Sequence, residues 1–218
     1  MTRYDRKKAS KVVKEIIFIV TEGKITEPDY FNRIKQLIKN KKGLSINKKL
    51  TNTNKNKHKS APNKLIQQVK NIRQNEKNLP LENYQYYIVC DKDDWTENQF
   101  KKLKTWVADK NNKNYYVMTN PCFEYWLLLH ADEEKNISDL KGKKDNIKKR
   151  LEKLGILDKQ NSKKLHKDFT FYEDNINKAI KRSKFRCNAE YKNERSENTL
   201  LDKFATSSVH CLLEEIFR

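Results

Sequence analysis

The sequence predicts an α/β fold, with a mixed, mainly parallel sheet flanked by helices and a C-terminal helical extension. Three observations predict it. Short apolar runs rich in β-branched and aromatic residues each stop at carboxylates. Segments with apolar residues at helical spacing separate those runs. Beyond His130 the strand-like runs cease and only helix-spaced apolar positions remain. Alternation of strand and helix is the pattern of a sheet covered by helices.

Residues 1–13 read as a basic N-terminal arm. The first strand is expected at about Glu15–Val20, because Ile16–Val20 is too short for a buried helix and is followed by Thr21-Glu22-Gly23. Thr26-Glu27-Pro28-Asp29 then opens a helix: Thr26 can cap it, Pro28 suits the first turn, and Asp29 stands in a capping-box position. Tyr30, Phe31, Ile34, Leu37 and Ile38 give it an apolar stripe, and Gly43 ends it. Leu44–Leu50 reads as an edge strand and Thr51–Ser60 as a mobile loop. Pro62 starts a second helix with Leu65, Ile66, Val69 and Ile72 on one face, and Leu79-Pro80 breaks it. Tyr86–Cys90 is the next strand and runs into Asp91-Lys92-Asp93-Asp94. A helix over Glu97–Lys110 carries Phe100, Leu103, Trp106 and Val107. Tyr115–Met118 is the third strand, and Pro121 begins the apolar helix that holds Glu124. Residues 14–130 thus form the α/β core. Residues 131–218 form the extension packed on it, with Ile147, Leu151 and Leu154, then Phe169, Tyr172, Ile176 and Ile180, then Val209–Phe217 at helical spacing.

At 218 residues the chain can bury a real core. Its formal charge of +19 attracts polyanions, which makes nucleic acid the leading partner class. The excess is mostly Lys, with nine Arg, a bias that AT-rich coding also produces. None of the four cysteines, Cys90, Cys122, Cys187 and Cys211, forms a C-x-x-C pair, so no zinc ribbon or redox motif is visible. No signal-type apolar stretch follows the basic N-terminus, and the longest apolar run, Phe123–His130, is well short of a membrane span. The expectation is a soluble, cytoplasmic protein with no membrane association.

Parallel sheets bind ligands at the C-terminal edge of their strands. Three strands delivering Glu22, Asp91, Asp93 and Glu124 to one edge would gather four carboxylates. Such a cluster is costly unless a cation neutralises it, and an all-oxygen site suits Mg²⁺. Asp91 and Asp93 alternate in extended chain, so both can reach one ion; the alternative is a polar turn capping the next helix. Gly23 beside Glu22 permits a tight turn and close approach of a phosphate. Glu27 sits in a helical first turn, where the dipole favours any acid. Glu124 lies in so apolar a stretch that burial demands a cation, a metal or a strong donor; the plain alternative is a salt bridge to a buried Lys or Arg. His130 reads as a satisfied structural histidine. Lys181, Arg182, Lys184 and Arg186, interrupted by Phe185, could bind a nucleic-acid backbone or form a solvated helix face.

IFIVTEGKITEPDYF, the strand ending in VCDKDD, and NPCFEYWLLLH together resemble the RloB family, clearly over residues 14–130 and more weakly in the tail. Those proteins are encoded in restriction-modification and phage-defence loci, including abortive-infection systems of the AbiL type. The resemblance implies a variant of the Toprim fold, shared by topoisomerases, primases and overcoming-lysogenization-defect nucleases. In that fold a Glu after the first strand and an Asp-x-Asp after a later one hold Mg²⁺; carried over, these are Glu22, Asp91 and Asp93. Glu27 and Glu124 match positions characteristic of the RloB motifs. The resemblance also implies an ABC- or AAA-type ATPase partner, which must be a separate protein because this chain has no Walker A motif.

Fold alone does not choose the chemistry. There is little room for a topoisomerase's tyrosine domain and no sign of a primase's template-binding modules. The simplest expectation is a metal-dependent nuclease. In it Glu22, Asp91 and Asp93 bind Mg²⁺, with Mn²⁺ as a substitute, and Glu27 or Glu124 completes the shell or acts as general base. Lys24 and Lys92 flank the acids and could hold neighbouring phosphates. The alternative is a non-catalytic nucleic-acid or partner-binding subunit. DNA and RNA remain open as substrates, and a homo-oligomer is compatible with the sequence.

Overall fold

The computed structural model describes residues 16–39, 62–75, 83–92, 95–131, 144–191 and 205–217, the side chains of 185–191 excepted. A four-stranded sheet is built from β1 (Ile16–Thr21), β2 (Tyr84–Asp91), β3 (Lys113–Asn120) and β4 (Thr206–Ser207), in that spatial order. β1, β2 and β3 are mutually parallel, and the two-residue β4 pairs antiparallel with the end of β3. Among the described residues the helices are α1 (Thr26–Lys39), α2 (Pro62–Asn75), α3 (Glu97–Val107), α4 (Phe123–Ala131), α5 (Lys144–Lys153), α6 (Glu173–Tyr191) and α7 (Val209–Phe217).

The register sorts side chains onto two faces, because successive residues of a strand point oppositely. Ile17, Ile19, Tyr87, Val89 and Val117 face a core made with α1, α4, α5, α6 and α7. Phe18, Val20, Tyr86, Ile88, Cys90 and Met118 face a second core made with α2 and α3. β2 is buried along both faces because it is central, which explains its unbroken apolar run. α4 is buried on all sides, with Trp126 as its largest core side chain. Each buried Leu or Phe of this kind contributes roughly 1.5–3 kcal/mol.

The three apolar runs form the three parallel strands, with β2 and β3 longer than their apolar centres. The helix expected to start at Pro121 begins at Phe123, after a cis Asn120–Pro121 peptide. The capping box expected at Thr26 is not formed. The Thr26 hydroxyl donates to the Lys163 carbonyl (2.7 Å), and Asp29 is drawn to Arg33 instead. Phe169 and Tyr172 precede α6 rather than continuing it. The N-terminal arm, the helix end at Gly43, the expected edge strand Leu44–Leu50, the loop Thr51–Ser60 and the break at Leu79-Pro80 lie outside the described residues. After α4 the chain does not only add helices: β4 joins the sheet beside β3, and α6 and α7 pack in the same core as α4. No helix among the described residues is long and apolar enough to cross a membrane.

Candidate functional site

The C-terminal ends of β1 and β2 are tied together by the first predicted acid. The Glu22 N–H donates to the Val89 carbonyl (2.9 Å), and Glu22 Oε2 accepts the Asp91 N–H (3.1 Å). Asp91 is the last residue of β2 and lies opposite Thr119 of β3, whose hydroxyl donates to Asp91 Oδ1 at 2.5 Å. By strand alternation Asp91 shares the Val89 face, which α1 and α4 cover. Those two helices bring the other acids. Glu27 lies in the first turn of α1 and Glu124 in the first turn of α4, and both are buried.

Glu27 folds back on the loop before its own helix. Its Oε1 accepts the Gly23 N–H at 2.9 Å. A Cβ at Gly23 would lie 1.9 Å from Glu27 Oε2, so the close approach requires glycine at that position.

The four carboxylates act on one another. Burial, opposed by backbone hydrogen bonds and reinforced by the charges of Glu124 and Glu22, pushes Glu27 up to about 7. Burial also holds Asp91 well above the usual carboxylate range, with the charges of Glu27, Glu124 and Glu22 adding to it and the Thr119 hydrogen bond opposing. Neighbouring acids raised in this way mark a site short of positive charge. Part of that charge comes from α5. Lys148 Nζ stands 3.9 Å from Glu124 Oε1, and Lys144, one turn earlier, feels the attraction of Asp91 and Glu22. No motif announces these two lysines. They belong to a highly charged stretch, and only the packing of α5 against α4 selects them.

The donor set fits a hard cation in chemistry, since every member offers carboxylate oxygen. Among the described residues, however, no three His, Cys, Asp or Glu side chains are placed to hold one ion together. Asp93, the second acid of Asp-x-Asp, lies outside the described residues.

The other predicted residues divide. Lys24 is exposed on the loop after β1, and Lys92 is half-buried, its N–H extending the sheet by donating to the Thr119 carbonyl (2.9 Å). Lys181 is exposed on α6. Arg182 donates to the Leu129 carbonyl at the end of α4 (2.6 Å), and Lys184 pairs with Glu214. The Arg186 side chain is outside the described residues. Glu124 combines the two roles open to it: it has a lysine partner and it belongs to the acidic group.

His130 is satisfied within the core. A carbonyl can only accept, so the Nδ1–H donates to the Trp126 carbonyl (3.0 Å); Nε2 then accepts from the Tyr30 hydroxyl (3.2 Å). Burial pushes its pKa down to about 4, so it is neutral at physiological pH.

A family model described as RloB-like protein matches residues 17–216. No curated protein and no solved structure matches the chain.

Proposed function

The chain belongs to the RloB-like family, matched over residues 17–216, and from that premise we propose that it is a Mg²⁺-dependent nuclease hydrolysing phosphodiester bonds of DNA or RNA. One observation carries the reading: four carboxylates from three parts of the chain meet at the C-terminal edge of a parallel sheet, and their burial and mutual charge raise the pKa of Glu27 and Asp91. The overall charge of +19 supports a polyanionic substrate.

Glu22 and Asp91, with Asp93, would hold the ion. When bound it would polarise the scissile phosphate and lower the pKa of the attacking water. Glu27, with a pKa of about 7, is matched to accept and return a proton near neutral pH, with Oε2 as the receiving oxygen. Thr119 and the Asp91 N–H fix the orientations of Asp91 and Glu22, so little reorganisation is needed when substrate enters. Lys24 and Lys92 would steady the flanking phosphates. The wider proposal is a role in phage defence beside a separately encoded ABC- or AAA-type ATPase.

The test is Mn²⁺ titration by calorimetry into wild type and Asp91→Asn, followed by cleavage of labelled DNA and RNA with Mg²⁺. Saturable binding and cleavage, both lost in a variant that still melts cooperatively and still binds nucleic acid, is the expected result. Undiminished cleavage by Asp91→Asn overturns it. A second reading, a non-catalytic nucleic-acid or partner-binding subunit, is favoured by the Lys148–Glu124 pair, which already supplies counter-charge to the acids. That reading predicts no saturable Mn²⁺ binding and no cleavage.

A further inference from the structure

We propose that nucleic acid reaches the acidic edge over α5 and the loop that follows it, with successive backbone phosphates held by the lysines of the depression at the C-terminal end of that helix. The depression has a volume of about 640 Å³ and is lined by Lys153, Lys159, Lys167 and His166, together with Glu152 and Asp158. Its two acids do not cancel its three lysines. Asp158 is also spent locally, since its Oδ1 accepts the Gln160 and Asn161 N–H groups at 2.7 and 3.3 Å. His166 Nδ1 accepts the Asp168 N–H at 3.3 Å, which puts the proton of a neutral ring on Nε2 as a donor. Lys153 lies in the last turn of α5, where any cation is favoured by the helix dipole. Lys159 and Lys167 come from the loop and need another reason.

One end of this surface reaches the acids and the other reaches the start of the helix that carries Glu27. The α5 helix begins at Lys144 and Lys148, beside Asp91, Glu22 and Glu124, and reaches Lys153 about 13 Å further on, at ~1.5 Å per residue. The loop returns to α1, where the Lys163 carbonyl accepts from Thr26, the neighbour of Glu27. The loop is also fixed. Arg33 of α1 donates to the carbonyls of His166 (3.0 Å), Phe169 (2.5 Å) and Leu165 (3.4 Å), and Leu157 bridges to Leu165. A loop pinned to the helix that carries Glu27 offers its lysines at a constant position relative to the acids. The rival basic surface on α6 is partly consumed, since Arg182 and Lys184 have partners within the protein.

The inference rests on the proposal that nucleic acid is the substrate, not on cleavage, so binding is measured with EDTA present. A fluorescent single-stranded RNA and a DNA duplex of the same sequence are titrated with wild type, with Lys153→Glu/Lys159→Glu/Lys167→Glu, and with Lys101→Glu/Lys102→Glu/Lys104→Glu. All six lysines are exposed, and the second set, on α3 across the sheet, makes the same change in net charge. The first variant is expected to bind at least about 10-fold more weakly. Its slope of log affinity against log salt should be shallower by ~2 on the single-stranded RNA and by ~2.7 on the duplex, as three lost phosphate contacts require; the α3 variant should keep the wild-type slope. A Lys→Gln triple variant, expected to show the same direction, guards against misfolding of the charge reversal. Equal losses in both sets, or no binding by wild type, overturn the proposal. If the slope changes while Asp91→Asn leaves cleavage intact, the nuclease assignment of the acids fails and the track stands.

Discussion

Glu27 lies so close to Gly23 that any side chain there must displace its carboxylate. Such a buried acid has a measurable signature. A carboxyl with a pKa of 4.5 unfolded and about 7 folded stabilises the fold below pH 4.5, and that contribution is lost as pH rises to about 7. At ~1.4 kcal/mol per unit the loss is roughly 3 kcal/mol. His130 acts in the opposite direction: its pKa falls from 6.5 to about 4 on folding, so it stabilises above pH 6.5 and that contribution is lost as pH falls to about 4. Asp91, raised by burial, and His210, lowered by it, add contributions of the same two opposite signs. Glu27→Gln, which keeps the acceptor for Gly23, should therefore give a profile that rises relative to wild type from pH 4.5 to about 7. Denaturant unfolding in EDTA at several pH values measures it; an unchanged profile would mean that Glu27 is not protonated in the fold. Gly23→Ala should produce the same rising profile by a different route, since it drives the carboxylate out towards water. A Gly23→Ala profile identical to wild type would show that the backbone yields instead of Glu27. Neither effect is visible in the segment Thr-Glu-Gly-Lys-Ile-Thr-Glu, because a pKa is set by burial and by neighbours distant in sequence.

The strands were legible as elements because each core strand is a short apolar run ended by polar residues, and the sheet buries both faces of β2. Helices α1, α2 and α3 were legible from their apolar stripes. β4 was not: Thr206 and Ser207 carry no periodic pattern, and they form a strand only because the end of β3 presents Thr119 and Asn120 to them. The loop between α5 and α6 was also hidden, since its order comes from Arg33, distant in sequence and anchored by Asp29 in the preceding turn. Arg33→Ala should cost about 2–3 kcal/mol, by leaving three partly buried carbonyls without their charged donor. Hydrogen exchange should then speed up at the amides of Asp158 and His166, which close the loop on Lys164 and Ile156, while those of β2 stay protected. Uniform acceleration across the sheet would mean that Arg33 supports the whole domain rather than this loop.

Across the whole molecule, charge and sheet direction point to the same place. The parallel strands open one edge, where the described acids meet, in a chain whose net charge is strongly positive. The sequence by itself determined the α/β class, the three parallel strands with their flanking helices, and the family, because those depend on local periodicity and on motifs read in order. Glu22, Asp91 and Glu124 were legible as acids at element ends, and Glu27 as a first-turn acid. Only the tertiary structure decided that these four are close enough to perturb one another, that Lys148 and Lys144 face them, and that Arg182 holds the end of α4. The physical reason is that carboxylate repulsion, burial and ion pairing depend on separation in space. Residues far apart along a chain acquire that separation only when the sheet register and helix packing bring them together.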